Sequence, residues 1–60
     1  KTAQQLREEA GAPDASLERL RELFNQASAR RLLEAAVLDD DGQVVTLGQY
    51  ITGRARALRA

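Results

Sequence analysis

Sixty residues permit one small domain, and a single core of that size supplies about 3–5 kcal/mol of net stability. The chain has no Cys and no His, which excludes disulfides, thiolate and imidazole metal sites and the usual neutral-pH proton shuttle. Nine acids balance nine bases, yet all nine acids lie in residues 1–41 (net −3) and residues 42–60 carry only Arg54, Arg56 and Arg59 (net +3).

An acidic body with a basic tail favours head-to-tail or antiparallel pairing of copies, or contact between the tail and an acidic partner; the plainer reading is arginine complementing a helix C-terminus. With one Phe, one Tyr, no Trp and no Met, the core must come from Leu, Val, Ile and many Ala. Alanine buries little area, so association is the expected remedy. The chain lacks Met and starts at Lys1, so it is expected to be a piece of something longer, folded as one domain over 1–60. No apolar run approaches the roughly 20 residues needed to cross a membrane, and no signal-peptide pattern is present. A cytoplasmic location is the default expectation.

In chain order, residues 2–10 read as a short helix with Thr2 as cap, Leu6 as its one large apolar anchor and Gly11 as the left-handed residue that ends it. One Leu anchors it weakly, so it is expected on the surface or paired with another chain. Gly11-Ala12-Pro13-Asp14 is a break, after which Asp14 or Ser16 caps a second helix over 15–26. Leu17, Leu20, Phe24 and Ala27 form its apolar stripe, bordered by Leu23. The later apolar residues Leu33, Ala36 and Val37 fall on the opposite side, so the buried face changes near Asn25–Ser28. Either the helix breaks there and a third helix runs over 29–37, or one rod is covered on two faces; the broken form is preferred.

Asp41-Gly42 between Val37-Leu38 and Val44-Val45 is a hairpin signal, with an extended connector carrying one strand as the alternative. Thr46 to Gln49 then forms a capping box opening a helix over 47–58, whose Gly48 and Gly53 suggest close backbone approach at a packed interface. The expected fold is all-α, a bundle of about four helices with one short strand or hairpin at 37–46, completed by oligomerisation.

Asp39-Asp40-Asp41-Gly42 resembles part of a calcium loop, but Val37 and Gly48 occupy the positions of the first ligand and the bidentate acid. No metal or cofactor is expected. No motif fixes a catalytic pair, and neither GxGxxG nor a Walker lysine occurs, so no catalytic residues are assigned and an enzyme is not expected. The order helix, turn, helix, hairpin would suit a winged helix-turn-helix with Arg30 and Arg31 toward nucleic acid. Three Asp at the wing tip and an acidic body oppose it. The favoured reading is a dimerisation, docking or adaptor domain, pairing with itself or with another protein. Its expected interface comprises Leu23, Leu33, Val37, Leu47, Tyr50, Ile51, Arg54 and Leu58.

Overall fold

In the computed structural model, which describes residues 1–59, the chain runs α1 (Ala3–Ala10), α2 (Leu17–Ala29), β1 (Ala36–Leu38), β2 (Val44–Thr46) and α3 (Leu47–Arg59). Three helices and a two-stranded hairpin replace the expected four-helix bundle. The helix expected over 29–37 does not form, and the reason lies at the end of α2. That helix continues unbroken through Asn25–Ser28 and is capped at Arg30. Arg31 then takes φ 58°, while the Leu32 amide reaches back to the Ala27 carbonyl at 2.8 Å and the Arg31 amide to Ser28 at 3.1 Å. This is a Schellman ending, with arginine where glycine is usual. The substitution for glycine costs about 1 kcal/mol in backbone strain. Leu32 and Leu33 turn in to pack against the core, so the change of buried side is met by the chain leaving the helix.

The other helix ends follow side-chain chemistry more directly. Thr2 and Gln5 form a complete capping box on α1, Ser16 accepts from the Arg19 amide, and Thr46 and Gln49 satisfy each other's amides at the start of α3. Each such cap is worth about 1 kcal/mol. Gly11 departs from expectation. It closes α1 at φ −84°, so left-handed freedom is not what it provides. A Cβ there would lie 2.7 Å from the Tyr50 hydroxyl, and the missing side chain is what lets the tyrosine in.

The hairpin pairs Ala36 with Thr46, Val37 with Val45 and Leu38 with Val44. Its turn is closed by the Gly42 amide on the Asp39 carbonyl, with Gly42 at φ 80°. The Asp39 carboxylate accepts from the Asp41 and Gln43 amides at 2.9 and 2.8 Å, an Asx arrangement that commits this side chain to the turn.

α1 packs on α2 and α3, and the hairpin lies against α1 and α3. Leu6, Leu20, Leu23 and Leu47 are the largest fully buried side chains, joined by Ala10, Ala27, Val37, Tyr50 and Ile51. α1 is therefore an integral wall of the core; the weakly anchored surface helix expected from its single Leu is not observed. Burying such a leucine stabilises the fold by about 1.5–3 kcal/mol. The α2 stripe is also rotated from expectation. Its centre is Leu20, Leu23 and Ala27, leaving Phe24 half-buried and Leu17 exposed.

The first turn of α3 is fixed from outside the helix. The Leu47 amide donates to the Ala35 carbonyl and the Gly48 amide to Leu33, each at 2.9 Å. A Cβ on Gly48 would come within 3.3 Å of the Leu33 carbonyl, which bears out the close approach expected there. Gly53 has open space around it, so the same expectation fails at that position. Among the described residues no helix is long and apolar enough to cross a membrane.

Candidate interaction surface

The structure uses most of the residues expected at an interface to build the monomer. Leu23, Val37, Leu47, Tyr50 and Ile51 are all buried in the core. Leu33 and Arg54 are half-buried, and only Leu58, at 49 % exposure, is fully presented outward. Arg30 and Arg31 are exposed in the turn that ends α2 rather than along a helix face. Arg30 contacts the Lys1 carbonyl at 3.3 Å.

Between the hairpin turn, α1 and α3, the charges are organised around Asp40. Its carboxylate accepts the Tyr50 hydroxyl at 2.8 Å and Arg7 Nη2 at 3.2 Å, and pairs with Arg54 Nη1 at 3.7 Å. Arg7 also donates to the Leu38 carbonyl at 2.7 Å and lies 4.5 Å above the Tyr50 ring, a cation–π contact. Arg54 reaches the Ala10 and Ala12 carbonyls, occupying acceptors at the end of α1. Burial, then the hydrogen bond to Asp40, pushes the Tyr50 phenol above its ordinary value. On the other flank of α1, Glu9 bridges Lys1, at 2.7 Å, and Arg19. The Lys1 hydrogen bond chiefly holds its carboxyl below the usual range, with Arg19 adding to the effect. These arrangements tie α1 to the hairpin turn, to α2 and to α3.

The opposite side of α3 is organised differently. Leu17 at the start of α2 lies beside Ala55 and Arg59 near the end of α3, in a groove of about 400 Å³ that also takes in Arg21, Phe24 and Thr52. A second concavity of about 700 Å³ shares Phe24 and Thr52 and continues past Gly48 and Arg56 to Leu33 and Val45. The two form one trough along α3 from Arg59 to Gly48, roughly 16 Å at the helical rise. Its floor is apolar, and Leu17 is 42 % exposed. Among the described residues Arg21, Arg56 and Arg59 take part in no ion pair. Among the described residues Glu34 is the one acid in the lining of the trough.

A smaller apolar patch lies on the outer face of the hairpin, where the cross-strand partners Leu38 and Val44 are 53 % and 71 % exposed. The trough residues Leu17, Phe24 and Arg21 were hidden in the sequence because Leu17 and Phe24 share the apolar stripe with Leu20. A stripe wider than the facing helix can cover was the available signal. Comparison with protein-family profiles, characterised proteins and solved structures found no match.

Proposed function

We propose that this chain is a non-catalytic protein-association module of the dimerisation, docking or adaptor type, and that it binds through the trough between α2 and α3. The observation that carries this reading is the pairing of an apolar floor at Leu17, Phe24 and Ala55 with arginines that take part in no ion pair among the described residues. Folding leaves these groups unspent, and a partner that desolvates the floor gains about 25 cal/mol per Å² of apolar area removed from water. The test is a titration of the labelled chain with a neutral helical peptide bearing a leucine stripe, followed by amide shifts. Movement of the Arg21, Phe24, Thr52 and Ala55 amides is expected. If neither that peptide nor raising the chain's own concentration moves them, the reading is wrong.

A second reading survives only in altered form. The helix over 29–37 that was to carry Arg30 and Arg31 is absent, but α1, a turn, α2 and a hairpin follow in the order of a winged helix-turn-helix, with Arg30 and Arg31 exposed at the end of α2. Glu18 and Glu22 on the exposed side of α2 and the Asp39–Asp41 turn would face a polyanion, which ranks it second. A salt-sensitive shift of random duplex DNA, lost in the Arg30→Gln/Arg31→Gln variant, would place it first.

A further inference from the structure

We infer that the trough between α2 and α3 takes an acidic amphipathic helix of about three turns from a different protein, a specification that rests on the association reading above. Three observations converge on this occupant. The trough is straight because α3 forms one wall throughout, and its length of roughly 16 Å matches about eleven helical residues. Its floor alternates bulk and space: Leu17 and Phe24 line it from α2, while Gly53, with open space around it, and Ala55 leave room on α3. Such relief accepts ridges spaced at i, i+3 or i+4 and i+7 on a docking helix, whereas a flat strand would leave the recesses unfilled.

Charge selects the partner's flanks. Arg21 lies on the α2 wall and Arg56 and Arg59 on the α3 wall, against Glu34 alone at the far end. A helix with Asp or Glu on both sides of its apolar stripe meets complementary charge along either wall. The same arginines disfavour a twofold copy of this chain as occupant. An isologous contact about an axis at the middle of the trough sets the Arg21 and Arg59 end of one copy against the Gly48 and Glu34 end of the other, so each copy offers the arginines of its mate a single acid, Glu34, where an acidic helix offers several. Among the described residues no buried side-chain polar group is left without a hydrogen-bond partner for a second copy to supply. Nucleic acid would satisfy the arginines and leave the apolar floor uncovered.

The experiment uses three synthetic helical peptides with one leucine stripe and either Glu, Gln or Lys at the flanking positions, titrated into the whole chain. Amide shifts locate binding and anisotropy measures it. The Glu peptide is expected to bind about tenfold more tightly than the Lys peptide at low salt, with the gap shrinking as salt rises. The Arg21→Glu/Arg59→Glu variant is expected to invert the order, and its circular dichroism checks that it folds. Equal binding of all three peptides in the trough overturns the acidic partner and leaves the association reading intact. Failure of all three to reach the trough overturns the inference, and if raising the chain's own concentration also leaves the trough amides unmoved, the association reading falls with it. Sedimentation showing a dimer whose contact shifts map to the trough, or binding there by random duplex DNA alone, also overturns the inference.

Discussion

α3 carries arginines on two sides, and they do opposite things. Arg54, with Arg7 from α1, is spent on the Ala10, Ala12 and Leu38 carbonyls and on Asp40. Arg56 and Arg59, with Arg21 from α2, line an apolar trough and pair with nothing among the described residues. Residue type is the same on both sides; the difference is whether a carbonyl or carboxylate lies within reach once the chain has folded. One side is stabilised by its charges, and the other holds charge in reserve.

Removing an arginine from each side in turn tests this contrast most severely. Arg7→Ala loses two hydrogen bonds and the contact with the Tyr50 ring, and should cost about 2 kcal/mol in chemical denaturation. That is a large share of the stability of so small a domain. A loss no larger than that of a surface substitution would dissolve the distinction between the sides. Backbone changes come next in size and run the other way. Gly53→Ala should stabilise by about 1 kcal/mol, since it adds helix propensity in open space, and Arg31→Gly by a similar amount through relief of the left-handed strain. Gly48→Ala should gain less than Gly53→Ala because its Cβ meets the Leu33 carbonyl.

Proton linkage gives a smaller, directional check on the Asp40 side. Because the Tyr50 phenol is raised in the folded chain above its ordinary value of 10.0, its contribution to stability is complete below that value. It is lost as pH rises through the raised folded value. With a single Tyr and no Trp, phenolate absorbance reads this group alone, and Asp40→Asn should bring the transition down toward the ordinary value. Smallest of all, Arg21→Gln, Arg56→Gln and Arg59→Gln should each change stability by less than about 0.5 kcal/mol. A larger loss from any of them would mean that the trough arginines serve the fold after all.

Local chemistry was the legible part of the sequence. Thr2, Ser16, the Thr46–Gln49 box and the Asp-Gly turn announce themselves because each acts within four residues. Leu20 and Ala27 were readable as core from periodicity. The end of α2 was not, because Arg31 does the work normally signalled by glycine, and the polar run Asn25–Ser28 drew the expected break one turn too early. The hairpin side Val37-Leu38 was legible from its turn, but the helix expected to 37 ran over the start of the strand Ala36–Leu38 for a related reason: Leu32 to Val37 has no clear period, and tertiary pairing with Val44–Thr46 decides it. α1 was underrated because Leu6 and Ala10 gain their value from what covers them. The expected interface residues were drawn from the same signal: large apolar residues mark burial, and only the fold divides burial within the chain from burial against a partner.

The amides of Leu47 and Gly48, tied to the carbonyls of Ala35 and Leu33, change what kind of object the trough is. The first turn of a helix ordinarily frays and exchanges its hydrogens with solvent within the noise of local opening. Here that turn can open only if the connection between α2 and the hairpin opens with it. Hydrogen exchange at these two positions should therefore be as slow as in the middle of α3, and one wall of the trough stands in register before anything binds. Its shape is a property of the free chain, so the ordering entropy of docking falls mainly on the incoming segment.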